Sequence, residues 1–329
     1  MNLAGKKVLL TGAGGFIGSH LCEALVKRGA DVTAMIHYNS RNNWGNLELA
    51  DPQVCSVIQV TAGNVEDSDF VARQVKGKDV VFHLAALIAI PYSYSAPLSY
   101  IRTNVEGTLN VLEAAREYGV QRVIHTSTSE TYGTAIYTPI DEKHPLQGQS
   151  PYSASKIAAD KVAESYFLSF NVPVVTLRPF NTYGPRQSAR AVIPTIISQA
   201  FSRDEIRLGS LDPVRDLNFV KDTVEAFIRA AETDGIEGEV INAGFGKGIT
   251  IGDLAQKILR LIGMNKPVVQ ENQRLRPEKS EVLRLICDNS KAFERMGWLP
   301  KYTLEDGLAE TIQFVEEHIH LYKTNQYTV

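Results

Sequence analysis

Short apolar runs alternate with longer stretches of helical periodicity along the first half of the chain. The apolar runs lie at residues 6–10, 31–37, 56–61, 79–84, 121–126 and 172–177. Apolar side chains at helical spacing are clearest over residues 16–27, 98–118 and 152–170. Strands that are apolar on both faces and alternate with helices are typical of a parallel sheet covered on both sides. We therefore predict an α/β fold with a doubly wound parallel sheet.

The composition excludes several classes of protein. Of 329 residues, 44% are hydrophobic and 22% are charged, which is ordinary for a globular chain. The net charge of −3 gives no reason to expect nucleic-acid binding as the main activity. No apolar stretch reaches the roughly 18 residues of a membrane span, so we expect no membrane association and a cytoplasmic location. The three cysteines are too scattered for a disulfide framework or a metal site.

A glycine-rich turn follows the first predicted strand and opens the first predicted helix. Its sequence is Thr11-Gly12-Ala13-Gly14-Gly15-Phe16-Ile17-Gly18. Gly12 permits a sharp turn, Gly15 lets the backbone approach a pyrophosphate, and Gly18 permits close packing of the helix on the strand. The first N–H groups of the helix, at Phe16 and Ile17, are then available to phosphate oxygens. In this strand–turn–helix context the motif predicts a Rossmann-type dinucleotide site.

The second half of the chain is less regular, because proline and glycine interrupt it from residue 179 to residue 213. Helices are predicted over residues 251–262 and 304–321, with a polar stretch between them. We expect the dinucleotide-binding domain to comprise residues 1–178 and 217–247. A smaller C-terminal substrate-binding region is expected to comprise residues 179–216 and 248–329.

The end of the second predicted strand bears on which nicotinamide dinucleotide is bound. Proteins of this fold that prefer NAD usually place an acidic residue there, to bond the ribose 2′-hydroxyl. His37 stands at that place, and no acidic residue follows before Glu48. Ser40 and Arg41 lie just beyond it and are suited to a 2′-phosphate. The sequence favours NADP over NAD, although Arg41 is equally compatible with an ordinary solvated loop.

The ends of the third and fourth strands supply further candidate contacts to the cofactor. Asn64 and Val65 follow the third strand, where the adenine is expected. Leu84, Ala85 and Ala86 follow the fourth strand. The two small alanine side chains are consistent with close passage of a cofactor and equally with tight packing of the backbone.

Tyr152 and Lys156 lie four residues apart at the start of a predicted helix and therefore share a face. The pKa of tyrosine is ordinarily about 10, too high for a base at neutral pH. We expect the Lys156 ammonium to lower the phenol pKa and to hold the ribose of the nicotinamide. Spacing alone is compatible with an ordinary surface pair, and the glycine-rich turn decides in favour of the catalytic interpretation.

A polar segment follows the fifth predicted strand, at the edge where doubly wound sheets bind ligands. It contains Thr128, which is placed to hydrogen-bond a substrate hydroxyl beside Tyr152. Glu130 is a candidate base, because a carboxylate near a newly formed ketone is able to remove a proton from the adjacent carbon. The competing interpretation of Glu130 is a solvated loop acid or a helix cap.

Together these motifs resemble the extended short-chain dehydrogenase/reductase family of nucleotide-sugar epimerases and dehydratases, over almost the whole chain. Further matching stretches are Asn104-Val105-Glu106-Gly107-Thr108, Arg178-Pro179-Phe180-Asn181-Thr182-Tyr183-Gly184-Pro185-Arg186, Arg215-Asp216, Arg276-Pro277 and Gly297-Trp298. The resemblance implies a tightly bound, recycled NADP or NAD, with Asn104 among its contacts. It also implies a sugar-nucleotide site containing Ser129, Asn181, Arg190, Arg215 and Arg276. Asn181 and Arg215 are expected on the diphosphate, and Arg276 on the ribose or the diphosphate.

Within the family, the segment from Thr128 to Gly133 resembles the dehydratases and the UDP-glucuronate decarboxylases more than the 4-epimerases, which generally lack the acid. The decarboxylases carry an arginine directly after the catalytic lysine, where this chain has Ile157. Residues 37–45 and 86–95 resemble the nucleotide-linked N-acetylglucosamine 4,6-dehydratases of legionaminic- or pseudaminic-type nonulosonic acid biosynthesis. Many hexose dehydratases place Asp-Glu where this chain has Ser129-Glu130. This difference leaves the acid for the C6 hydroxyl open: Glu130 is able to protonate it, and Ser129 is able to assist through a water.

The resemblance implies a lyase that oxidises the C4 of UDP- or GDP-N-acetylglucosamine, eliminates water across C5 and C6, and returns a hydride. The product is a 4-keto-6-deoxy sugar or a 5,6-ene, and the sequence fits both. A UDP-hexose 4-epimerase would use Tyr152 and Lys156 without Glu130, and a non-catalytic dinucleotide-sensing module would need none of the three. Family members commonly dimerise through helices equivalent to residues 98–118 and 152–170, so a homodimer or larger homo-oligomer is expected by analogy.

Overall fold

A seven-stranded parallel sheet lies at the centre of the molecule. The structure is a computed structural model that describes residues 1–275 and 277–324, apart from the side chain of Glu278. The strands are β1 (Lys7–Thr11), β2 (Asp31–Ile36), β3 (Gln59–Ala62), β4 (Val80–His83), β5 (Arg122–Thr126), β6 (Val174–Pro179), β7 (Asn181–Tyr183), β8 (Ile206–Leu208), β9 (Val214–Phe219), β10 (Val240–Ala243), β11 (Gly248–Thr250) and β12 (Val268–Gln270). The central sheet has the order β10-β6-β5-β4-β1-β2-β3.

Helices cover both faces of this sheet. They are α1 (Phe16–Lys27), α2 (Pro52–Cys55), α3 (Ser68–Val75), α4 (Ile90–Ser95), α5 (Pro97–Tyr100), α6 (Gly107–Tyr118), α7 (Pro151–Phe170), α8 (Val192–Ser202), α9 (Val220–Glu232), α10 (Ile251–Ile262), α11 (Ser290–Met296) and α12 (Leu304–Glu317). Alternate residues of β1 point to opposite faces, so Val8 and Leu10 pack in the core with α1 and α9, and Leu9 packs in the core with α3 and α6. The predicted doubly wound α/β fold is confirmed.

The strand order reverses between β1 and β4. β1 pairs with β2 on one side and with β4 on the other, and every pairing in the central sheet is parallel. At such a switch point the connections leave in opposite directions and a crevice forms beyond the carboxyl ends of the strands. The glycine-rich turn after β1 and the loop after β4 both open into this crevice.

The helix predicted over residues 98–118 is interrupted in the structure. Between α5 and α6 lies a π-helical segment, Ile101–Glu106, which contains the fully buried Asn104. A π segment inserts an extra residue into a turn and so changes which side chain faces inward. Similarly, the helix predicted to end at residue 321 ends at Glu317 and is followed by a 3-10 turn, Ile319–Leu321.

Short strands outside the central sheet occupy parts of the chain for which no element was predicted. β7, β9 and β11 form a three-stranded sheet. β8 pairs with β12, and β12 lies in the stretch that the sequence marked only as polar. The division of the chain into a dinucleotide-binding domain and a substrate-binding region stays a prediction. In the described part of the chain, none of the helices combines the length and apolarity needed to cross a bilayer.

Candidate active site

The glycine-rich turn packs so closely against neighbouring backbone that no side chain fits at Gly12 or at Gly18. Gly12 adopts a φ of 71°, and a Cβ placed on it would lie 2.7 Å from the backbone nitrogen of Ala85. A Cβ on Gly18 would lie 2.2 Å from the carbonyl oxygen of Gly12. Gly15 precedes α1, whose first turn has neither a side-chain cap nor an acidic residue. The N–H groups there suit an anion such as a pyrophosphate.

Thr11 ties the loop after β4 to this turn. Its Oγ1 accepts hydrogen bonds from the N–H groups of Leu84 and Ala85, both at 3.2 Å, and lies 2.9 Å from Nδ1 of His83. Nε2 of His83 lies 3.1 Å from Oγ1 of Thr108, which itself donates to the carbonyl of Asn104. Complete burial lowers the pKa of His83 well below its usual value. Because the Thr108 hydroxyl already donates to Asn104, the neutral ring is assigned as donating from Nε2 to Thr108 and accepting a hydrogen bond from the Thr11 hydroxyl at Nδ1.

Asn104 holds the other end of the same loop. Its Oδ1 accepts the N–H of Leu87 at 2.8 Å, and its Nδ2 donates to the Leu87 carbonyl at 3.0 Å and to Oγ of Ser155 at 2.9 Å. The sequence placed Asn104 among the direct cofactor contacts. In the structure its side-chain amide is hydrogen-bonded to Leu87 and Ser155, and its contact with a cofactor stays a prediction.

The remaining cofactor candidates lie around the same crevice. His37, Ser40 and Arg41 are exposed in the loop after β2, which folds back so that the N–H of Asn46 donates to the Gly14 carbonyl at 2.9 Å. Glu48, the first acid after β2, accepts hydrogen bonds from the backbone N–H of Trp44 at 2.9 Å and from the Asn43 side chain at 2.7 Å.

After β3, the two adenine candidates differ in exposure. Asn64 is exposed, whereas the buried Val65 packs beneath Gly107, where an added Cβ would lie 2.7 Å from its Cγ2. Leu84, Ala85 and Ala86 are half-buried on the side of the glycine-rich turn. The structure thus brings the ends of β1, β2, β3 and β4 to one edge of the sheet, as the sequence predicts.

Four predicted catalytic side chains meet where β5 ends and α7 begins. A capping box between Ser150 and Ser153, with Pro151 in the first turn, fixes the start of α7 and places Tyr152 in that turn. The Thr128 hydroxyl hydrogen-bonds to the Tyr152 phenol, and the charge of the half-buried Glu130 also acts on that phenol. Lys156, one turn further along α7, donates to the Thr126 carbonyl at 2.6 Å.

The pKa of Tyr152 lies well above its usual value in the structure. Burial is the largest cause, and it outweighs the hydrogen bond from Thr128, which lowers the pKa. The expectation that Lys156 brings the phenol pKa below its usual value is therefore not met in the structure, because desolvation of the phenolate dominates. Burial also lowers the pKa of Lys156 to about 8, although the charge of Asp160 raises it. At neutral pH the pair consists of a phenol and an ammonium.

A buried network that the sequence analysis did not identify lies behind this pair. Oδ2 of Asp160 accepts hydrogen bonds from Arg178 at 2.7 Å and from Ser127 at 2.6 Å, and Oδ1 lies 3.0 Å from Nε2 of His125. Burial opposes the charge of Asp160, but Arg178 and His125 hold the pKa of its carboxyl well below the usual range. The eight-residue spacing of Tyr152 and Asp160 on α7 is the sequence signal that was available for it.

The predicted substrate residues that the structure describes lie in β7, in β9, in the turn after β5 and in the loop before α8. Asn181 is half-buried in β7, and its Oδ1 is buried without a hydrogen-bond partner in the described chain. Arg215 lies 3.2 Å from Glu281, and Ser129 is buried. Arg190 is exposed, with its Nε 3.3 Å from Oγ of Ser188. Arg276 lies outside the described residues.

The family model described as GDP-mannose 4,6 dehydratase matches residues 9–311. The chain belongs to this family. A UDP-glucose 4-epimerase of Mycolicibacterium smegmatis is 32% identical over 316 residues, which cover 94% of this chain and 98% of that protein. The expected family of NAD-dependent nucleotide-sugar dehydratases and epimerases is confirmed, as is its class as enzymes.

Solved structures of the family superpose closely on this chain. The dTDP-glucose 4,6-dehydratase DesIV from Streptomyces venezuelae, solved with NAD bound, is 27% identical with a TM-score of 0.85, covering 97% of this chain and 100% of that one. A UDP-N-acetylglucosamine 4-epimerase from Methanobrevibacter ruminantium, in complex with UDP-N-acetylmuramic acid, is 30% identical with a TM-score of 0.86, covering 95% and 99%. The NAD bound to DesIV supports the expected nicotinamide dinucleotide for the family.

Proposed function

We propose that this protein is a nucleotide-sugar 4,6-dehydratase that acts on UDP- or GDP-N-acetylglucosamine. One observation carries the choice of elimination over epimerisation. Glu130 is half-buried in the turn Ser129–Tyr132 after β5, this turn packs against α7, and the charge of Glu130 acts on the Tyr152 phenol of that helix. An epimerase needs no acid there. The resemblance of residues 37–45 and 86–95 to the N-acetylglucosamine dehydratases supports the choice of sugar.

The cofactor site is proposed to lie along the carboxyl edge of the sheet. The pyrophosphate of NADP or NAD would be held by the glycine-rich turn and the first residues of α1, namely Gly12, Gly15, Phe16, Ile17 and Gly18. Asn64 and Val65 would contact the adenine, and Leu84, Ala85 and Ala86 would line the passage of the cofactor. His37, Ser40 and Arg41 are exposed beside the glycine-rich turn, which favours a 2′-phosphate there. When bound there, the nicotinamide would supply the acceptor for a hydride from the sugar C4 and the source of the hydride that is returned.

The chain's own groups would move the protons. Tyr152 takes the proton of the C4 hydroxyl, helped by the hydrogen bond from Thr128 and by the charge of Lys156. The ketone at C4 acidifies the C5 proton, which Glu130 removes. Water then leaves from C6, protonated by Glu130 itself or through Ser129 and a water. The nucleotide diphosphate would be held by Asn181 and Arg215. Arg276 would bind the ribose or the diphosphate, and Arg190 would also contact the substrate.

Paired substitutions test this division of roles. We expect Glu130→Gln to reduce the bound cofactor with substrate at near-normal rate, yet to lower formation of the dehydrated product by about a hundredfold or more, the usual effect of losing a general base. Tyr152→Phe should abolish the reduction step itself. Cofactor absorbance and product mass report the two steps separately. Normal dehydration by the Glu130→Gln variant would contradict the proposal.

A UDP-hexose 4-epimerase remains the second candidate, because epimerases are among the similar proteins over nearly the whole chain. Mass spectrometry separates the two functions, since a dehydratase product has lost water and an epimerase product keeps the substrate mass. We also propose a homodimer through α6 and α7. These helices pack against each other and leave Leu109, Leu168 and Phe170 exposed.

A further inference from the structure

A chain of hydrogen bonds connects α4, the segment that precedes α7 and the segment around residue 280. The Tyr94 hydroxyl on α4 lies 2.5 Å from Oγ of Ser280, which donates to the Gln149 carbonyl at 2.8 Å. Nε2 of Gln149 donates back to the Lys279 carbonyl at 3.1 Å. We call Tyr94, Gln149 and Ser280 the latch. It connects three segments that are far apart in sequence.

Each end of the latch is attached to a part of the proposed active site. Ile90, one turn before Tyr94 on α4, packs in the same apolar cluster as Tyr100 and Tyr152. Gln149 directly precedes the capping residue of α7. Its Oε1 also accepts the N–H of Thr134 at 2.6 Å, and this turn follows the segment that carries Glu130.

The far end of the latch belongs to the substrate side. Ser280 is followed by Glu281, whose carboxylate lies 3.2 Å from the proposed diphosphate ligand Arg215. Ser280 is buried, whereas Tyr94 is 38% exposed. The contact between their hydroxyls is partly buried and joins the exposed tyrosine of α4 to a buried serine.

We propose that the latch closes the sugar site during the reaction and retains the oxidised intermediate until the hydride is returned. The proposal rests on the proposed oxidation at C4. In that chemistry the sugar loses a hydride to the cofactor and a proton to Tyr152. An intermediate that escapes leaves one reduced cofactor behind for each oxidised sugar released. Retention is therefore necessary for turnover, and the latch ties α4 and the segment beside Arg215 to the residue that precedes the cap of α7, the helix that carries Tyr152.

The test is Tyr94→Phe, which keeps the ring and removes the hydroxyl. We expect two- to tenfold more turnovers to end in release, roughly the effect of losing one hydrogen bond. Reduced cofactor should accumulate on the protein, and mass spectrometry should show a released species that is two hydrogens lighter than the product. Ser280→Ala should reproduce the effect, and the double variant should add little to it.

Tyr92→Phe is the matched control, because Tyr92 lies on another face of the same helix. The amount of oxidised sugar released by the two latch variants is compared with that released by Tyr92→Phe and by the unaltered protein. If Tyr94→Phe and Ser280→Ala release no more than these two controls, the proposal is overturned. Failure of the proposed function has a different signature. If the protein is an epimerase, the product keeps the mass of the substrate and the leaked species is a 4-ketose that has not lost water. Accumulation of reduced cofactor in the latch variants then still decides whether the latch retains the intermediate.

Discussion

Lys156 and Asp160 lie one turn apart on α7, and both are buried. Burial disfavours the Lys156 ammonium, and the Asp160 carboxylate supports it, with the net result of a pKa of about 8. If the ammonium is the active form, activity should fall as pH rises through about 8, because deprotonation removes the charge that stabilises the phenolate.

Asp160→Asn should move this alkaline decline of kcat/KM to lower pH, because the Lys156 ammonium loses its nearest supporting charge. The matched control is Glu164→Gln, an exposed acid on the same helix, which should leave the pH profile unchanged. Breaking the buried pair with Arg178 also costs roughly 3–5 kcal/mol of stability, so denaturant unfolding must first show a folded variant. An unshifted profile in a folded Asp160→Asn variant would contradict this role.

The sequence predicted which polar residues gather at the site better than it predicted their electrostatics. Tyr152, Lys156, Thr128 and Glu130 were identifiable because their spacing and the strand ends are local features. The raised pKa of Tyr152 could not be predicted from the sequence, because it depends on how many atoms of other elements surround the phenol. The contact between Tyr94 and Ser280 was equally hidden, because nothing local links residues so distant in sequence.

At the scale of elements, the close packing of α1 against the turn after β1 requires glycine at position 18, where no side chain fits. A Cβ on Gly18 would overlap the Gly12 carbonyl, so Gly18→Ala must push α1 away from β1. We expect a loss of about 1–3 kcal/mol of stability and a marked loss of dinucleotide affinity. Thermal unfolding with and without NAD or NADP measures both effects.

Gly252→Ala serves as the control for this substitution. Gly252 lies within α10, where an added Cβ would have its nearest neighbour at 3.6 Å. Alanine there should leave cofactor affinity unchanged and should stabilise the helix by up to about 1 kcal/mol. Equal effects of the two substitutions would show that the close approach at Gly18 is unimportant.

Long elements were predictable and short ones were not. The predicted bounds of α1 and α10 agree with the structure within a residue, because their helical periodicity extends over three turns. The three-residue strands β7, β8, β11 and β12 are too short to show a period. The π-helical segment Ile101–Glu106 has an apolar pattern that also fits an ordinary helix.

At the scale of the whole molecule, the proposed dimer gives a direct prediction. Leu109 on α6 is 38% exposed, and we expect Leu109→Glu to place a charge in the interface and shift the protein toward monomers. Leu261→Glu on α10, where the leucine is 44% exposed, should leave the assembly unchanged. Analytical ultracentrifugation over a range of concentrations measures this. A monomeric unaltered protein would rule out the dimer.

The position of β10 at the edge of the central sheet has a consequence for biosynthesis. β10 pairs with β6, yet the ribosome completes β6 long before it reaches Val240. During that interval the hydrogen-bonding groups along the outer edge of β6 have no strand partner, and such an edge is a template for association with other chains. We therefore expect the nascent chain to be vulnerable to aggregation while residues 180–243 are translated.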